Sequence, residues 1–165
     1  MAGRSTPPKA EGPAPGSSCS EIAPGVFVGG WPDAVGFRGT RLCVMDDPPE
    51  EGLPAEAHLP IYDPETGRPI RANLDRISGM VEAARRGHAP VLLFCGHGIR
   101  RGPLAGAWYL HRHEGIPLDE AYARIRAVRP RIEHVQQWVR DSQPLFGRDP
   151  PRDPVGTGGA GRRSP

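Results

Sequence analysis

The stretch Val91-Leu92-Leu93-Phe94, run straight into Cys95-Gly96-His97-Gly98-Ile99-Arg100-Arg101-Gly102-Pro103, constrains this chain more than any other. Four consecutive apolar residues after Pro90 suit burial on both faces, the habit of a strand inside a parallel sheet. The glycine-rich turn then leads into Leu104, Ala107, Trp108 and Leu110 at helical spacing. A strand feeding a helix through such a turn is typical of open α/β sheets, which bind ligands at the carboxyl ends of their strands. There the helix N-terminus and successive loop N–H groups make a concave anion site.

The rest of the chain agrees with that class. Val26, Phe27 and Val28 between glycines suggest a short strand or hairpin over Ile22 to Gly29, and Leu42-Cys43-Val44-Met45 reads as a strand buried on both faces. A loop rich in Pro and Asp leads to a weaker extended segment, Leu59 to Tyr62. Leu74, Ile77, Val81 and Ala84 define a helix over Arg71 to Arg86, with Gly87 as its C-cap. A later helix carries Leu118, Ala121, Tyr122, Ile125 and Val128 and stops at Pro130, and Val135, Trp138 and Val139 mark a last one from about Glu133 to Asp141. Alternating strands and helices predict an α/β domain with a mainly parallel central sheet flanked by helices, the cysteine loop joining the central strand to a helix.

At 165 residues one compact domain is expected. It is placed at residues 19–147, between tails of Pro, Gly, Ser and scattered charge at 1–18 and 148–165, whose composition predicts disorder. Lys9 is the only lysine, and the formal net charge is +2. So slight an excess gives no warrant for nucleic acid or an anionic membrane as partner. Cys19, Cys43 and Cys95 are odd in number and widely spaced, which argues against a disulfide scaffold and a structural zinc site. No window approaches the ~18 apolar residues of a membrane span, and the N-terminus lacks the apolar core of a signal peptide. A cytoplasmic setting is therefore expected, one that keeps thiols reduced.

Cys95 lies where an anion should bind. Glycines at 96 and 98 let the backbone curl with its amides inward, and Pro103 suits a first helical turn. A thiol so placed is favoured as thiolate by the amides, the helix dipole and a nearby guanidinium, which makes it a nucleophile. Arg101 offers a planar fork for two oxygens of a phosphoryl group, a geometry lysine does not copy.

Cys95 and Arg101 stand as C-x5-R with Gly98 at the internal glycine, and the loop resembles the signature of cysteine-dependent protein tyrosine and dual-specificity phosphatases, of bacterial type. Ile22-Ala23-Pro24-Gly25-Val26-Phe27-Val28-Gly29-Gly30 is similar to that family's opening strand pair. Gly115-Ile116-Pro117-Leu118-Asp119-Glu120-Ala121 through Val128-Arg129-Pro130 is similar to its late helix. The resemblance covers roughly residues 20 to 146. It implies a phosphomonoester hydrolase working through a phosphocysteine, with Cys95 as nucleophile and Gly96, His97, Gly98, Ile99, Arg100 and Arg101 around the phosphate. It also implies a general acid some thirty residues earlier, which Asp63 in Leu59-Pro60-Ile61-Tyr62-Asp63 matches, ahead of Glu65 and Asp75. The implied substrate is a phosphorylated protein or a small phosphomonoester, with no metal or organic cofactor.

Two positions depart from the family pattern. Phe94 stands where His usually precedes the cysteine, and Gly102 stands where a Ser or Thr hydroxyl usually stabilises the departing sulfur. Both weaken turnover more than phosphate binding, so a phosphate-binding pseudophosphatase is the rival. A second rival counts Cys95 to Arg100 as C-x-x-G-x-R, similar to the sulfur-carrying loop of rhodaneses, which have no clear place for the Asp63 segment.

Other residues have plainer readings. His97 points outward from the loop, and Arg100 either adds charge at the pocket mouth or forms a surface ion pair. His111 and His113, two apart on a helix, face different directions and so share no metal. Trp108, Tyr122 and Trp138 read as core, and Arg129 and Arg131 as caps near the active-site face. Cys43, on the strand expected beside Cys95, is either buried and inert or a partner for a protective disulfide.

Overall fold

The computed structural model describes residues 11–49, 51–52 and 55–133. The expected last helix, Trp138, and the C-terminal tail lie outside them. Five strands form one sheet: β1 (Ser20–Ala23), β2 (Val26–Gly30), β3 (Thr40–Cys43), β4 (Ala57–His58) and β5 (Val91–Cys95). Their order is β1-β2-β5-β3-β4, with β1 antiparallel to β2 and the other pairs parallel. The sheet is thus mainly parallel, and the apolar strand is its middle member.

The alternation of β5 divides the core. Val91, Leu93 and Cys95 face the larger cluster, which holds Leu74, Ile77 and Val81 of α2 (Arg71–Arg86), Leu104 and Trp108 of α3 (Arg101–Glu114), and Ala121, Tyr122 and Ile125 of α4 (Leu118–Val128). Leu92 and Phe94 face a thinner layer with Cys43 of β3 and with Ala34 and Phe37, the last two supplied by α1 (Trp31–Gly36) and its end. The unbroken apolar run is explained by these two layers, since every residue of β5 is buried.

Helix limits follow local chemistry. Arg85 and Arg86 complement the carbonyl end of α2, and the Gly87 N–H caps the Ala83 carbonyl. Gly115 closes α3 at φ 70°, where a side chain would be strained. Asp119 and Glu120 favour the first turn of α4. Trp108 is buried in the core as expected, its indole N–H donating to Asp75 at 2.9 Å.

Residues 11–18, assigned by composition to the tail, make specific contacts. The Ser18 N–H donates to the Asp33 carboxylate at 2.8 Å, as does the Ser17 hydroxyl, and the Arg38 N–H donates to the Gly12 carbonyl at 3.1 Å.

Candidate active site

The four strands β2, β3, β4 and β5 run parallel, so the chain leaves all of them at one edge. Trp31 follows β2, Asp46 and Asp47 follow β3, Tyr62 and Asp63 follow β4, and the Cys95 loop follows β5. That edge is the place where a doubly covered sheet gathers side chains from distant parts of a sequence.

Cys95 ends β5 at 3 % exposure. Its sulfur accepts the Gly98 N–H at 3.2 Å and the Gly102 N–H at 3.4 Å, so the amides of loop and helix converge on it. Gly98, at φ 67°, is required twice over. A Cβ there would lie 2.5 Å from Arg129 Nη2 and 2.6 Å from the Gly29 carbonyl carbon, besides the strain of that φ. Gly96 is not required in this way: its φ is ordinary and a Cβ would meet nothing within 4 Å.

The loop is braced from outside by Arg129, which does more than cap α4. Its Nε donates to the Gly98 carbonyl at 2.7 Å and Nη2 to the His97 carbonyl at 3.2 Å, while Nη1 donates to the Ser18 carbonyl at 2.7 Å. With the His97 and Gly98 carbonyls held outward, the Gly98 N–H between them turns toward Cys95. His97 is exposed, as its outward orientation required. Arg100 pairs with Glu133, whose N–H also donates to the Ile99 carbonyl at 3.1 Å. Arg100 thus forms a surface ion pair.

Arg101 has a partner that the sequence did not announce. Asp46 takes it side-on, Nε to Oδ1 at 3.0 Å and Nη2 to Oδ2. The Tyr62 ring lies under the same guanidinium, 5.8 Å from centroid to Cζ. Burial pushes the Tyr62 hydroxyl well above the ordinary phenol value, opposed by the positive field of Arg101, so it stays neutral. Asp63, next in the chain, accepts the Glu65 N–H at 2.9 Å within a turn closed by Gly67 N–H to the Asp63 carbonyl at 2.7 Å. Of the other two acid candidates, Asp75 is committed to Trp108, Arg71 and Arg112 on α2 and α3, and Glu65 lies exposed in the Asp63 turn.

Cys43 pairs in register with Phe94, and so faces the thin layer while Cys95 faces the other. The two sulfurs lie on opposite sides of the sheet, which removes the geometry for a disulfide. Burial pushes the Cys43 thiol up, as for an inert core cysteine. No group of three His, Cys, Asp or Glu side chains suited to a metal occurs among the described residues. His111 instead meets the Ile116 carbonyl at 2.8 Å.

A central parallel strand that ends in a cysteine, cradled by the amides of the turn and of the next helix, is the architecture of protein tyrosine and dual specificity phosphatases. The sequence is 29% identical to human dual specificity phosphatase 28 over 122 residues, 68% of each chain. The crystal structure of the human protein superposes with a TM-score of 0.62 at 22% identity, covering 82% of this chain and 99% of that one. A human tyrosine phosphatase-like serine/threonine/tyrosine-interacting protein shares the fold at a TM-score of 0.63 and 18% identity, over 78% and 95% of the two chains. No protein-family model matches the chain. Fold and relatives together support a phosphatase function of the protein tyrosine and dual specificity type.

Proposed function

We propose that the chain hydrolyses phosphomonoesters through a phosphocysteine on Cys95, with Arg101 and the loop amides from Gly96 to Arg101 holding the phosphoryl oxygens and Asp63 as general acid. The observation that carries this reading is the convergence of the Gly98 and Gly102 N–H groups on the Cys95 sulfur. Groups that stabilise a thiolate there are equally aimed at the equatorial oxygens of a phosphoryl group attached to it. The sulfur attacks phosphorus, the P–O bond to the leaving group breaks, and the leaving oxygen takes the Asp63 proton. Water then attacks phosphorus, the S–P bond breaks, and Asp63 as carboxylate accepts the proton of that water.

Arg101 serves two acceptors in this scheme. Asp46 occupies its side-on edge, so a phosphoryl group takes the remaining N–H donors or displaces the carboxylate. Phosphorylated proteins and small phosphomonoesters are the substrate classes. A reducing compartment such as the cytoplasm suits the free thiols.

The test is rapid mixing with a small aryl phosphate. Steady release should be abolished in Cys95→Ser and lowered about 10²–10⁴-fold in Asp63→Ala, the usual range for a general acid. A wild type that releases no aryl alcohol would overturn the reading, and a burst without turnover would assign the slow step to the phosphocysteine.

A further inference from the structure

The hydrolytic scheme leaves unused a cleft of about 500 Å³ that opens beside the catalytic loop at Gly96 and Arg101, a size in the range of binding pockets. Its apolar lining includes Trp31, Val35 and Met45. Trp31 is 49 % exposed and Val35 60 %. Of the three large hydrophobic side chains left exposed among the described residues, these two line the cleft, and the third, Val128, lies elsewhere on α4. Exposed apolar side chains gathered in one concavity mark a contact surface better than scattered ones.

Asp46, Asp47 and Glu51 line the same cleft. Asp46 is neutralised by Arg101. Asp47 and Glu51 have no ion-pair or hydrogen-bond partner among the described residues. A phosphoryl dianion that reaches Arg101 therefore arrives beside two uncompensated carboxylates and is repelled by them. A substrate that brings its own cation within reach of those carboxylates converts the repulsion into attraction.

We propose that this cleft is a specificity subsite for an Arg or Lys side chain next to the phosphorylated residue of a polypeptide substrate. The cationic head meets Asp47 and Glu51. Its methylene stem lies along Trp31, an aromatic surface on which such stems pack and over which a cation is attracted. The inference rests on the phosphatase reading and narrows it to polypeptides with a basic residue beside the phosphate. Polyanionic carriers such as inositol phosphates are disfavoured by the same charges.

Two phosphotyrosine peptides that differ only in an Arg or a Glu neighbouring the phosphotyrosine test it. Binding is measured by calorimetry on full-length Cys95→Ser protein, and phosphate release on the wild type. The Arg peptide should bind roughly three- to thirtyfold more tightly, as expected for one or two exposed ion pairs, and the ratio should shrink in 0.5 M salt. Asp47→Asn with Glu51→Gln, both exposed, should bring the ratio close to one. Equal binding of the two peptides, a ratio untouched by the double variant, or tighter binding of inositol trisphosphate than of the Arg peptide would overturn the subsite. Aryl phosphate turnover by the wild type reports separately on hydrolysis: turnover without charge preference rejects the subsite alone, and preference without turnover rejects the hydrolytic reading alone.

Discussion

At the scale of single residues, Gly102 is where the chemistry of this loop is most open to change. Its N–H donates to the Cys95 sulfur at 3.4 Å, yet it offers no hydroxyl to the sulfur when the S–P bond breaks. A Cβ at this position would lie 3.7 Å from that sulfur and 3.1 Å from Val28 Cγ1. Ser therefore fits after a shift of a few tenths of an ångström, with its oxygen in reach of the leaving thiolate. Gly102→Ser should raise steady turnover of an aryl phosphate roughly three- to tenfold, the worth of one net hydrogen bond, and reduce any burst. Stability should change by no more than about 1 kcal/mol, since crowding against Val28 is offset by the better helix propensity of Ser. Unchanged turnover would place the slow step before phosphocysteine hydrolysis. The strand, the Cys95 turn and the helix after it were legible in the sequence because they are contiguous, and a contiguous pattern is a local property. Asp46 was not: its bond to Arg101 joins positions 55 apart, and nothing around Met45-Asp46-Asp47 distinguishes it from a turn.

Among the elements, α2 and β5 were readable nearly to the residue, because one has long apolar periodicity with a glycine stop and the other is a continuous apolar run. Helix α1 was missed. Its six residues include Pro32 and Gly36, too few and too poor in helix formers to carry a periodicity. What holds it is tertiary: the Asp33 carboxylate accepts the Gly30 N–H at 2.9 Å and the Ser17 and Ser18 donors, tying the helix start to residues 17 and 18. Burial alone would raise the Asp33 carboxyl, but hydrogen bonds from Ser17, Gly30 and Ser18 outweigh it and hold the carboxyl below its ordinary value. A lowered folded value means that Asp33 contributes stability above the unfolded value near 3.8, and that this is lost as pH falls through the folded one. Urea unfolding between pH 6 and pH 3 should show wild-type stability falling below about pH 4, with a shallower fall in Asp33→Asn. The variant should also be less stable at pH 6 by about 1–3 kcal/mol, having lost charge-assisted hydrogen bonds. Parallel pH curves for the two proteins would show that the carboxylate is not what ties the segment down.

For the whole molecule, the sequence pointed to a mainly parallel sheet with the Cys95 strand in the middle and the Cys43 strand beside it, but not to the places of the other strands, because strand order depends on contacts between segments far apart in the chain. That order, with β5 in the middle, gives the sheet two unequal covers and explains Phe94. The position before the cysteine faces the thin layer, where Ala34, Phe37, Cys43 and Leu92 surround a side chain of 0 % exposure. Phe94 is thus a structural member of the weaker of two layers, and a polar ring in its place would be surrounded by apolar side chains. Phe94→His, which restores the residue usual in similar phosphatases, should therefore cost about 1–3 kcal/mol for an imidazole buried without a hydrogen-bond partner. For a chain of this size each kcal/mol moves Tm by roughly 2–4 °C, so calorimetry should show a fall of about 2–12 °C. Turnover per folded molecule should not rise, since the side chain faces away from the Cys95 side of the sheet. A Phe94→His protein as stable as the wild type and faster in aryl phosphate turnover would mean that the thin layer can supply an imidazole partner, and that this position tunes the nucleophile through the sheet.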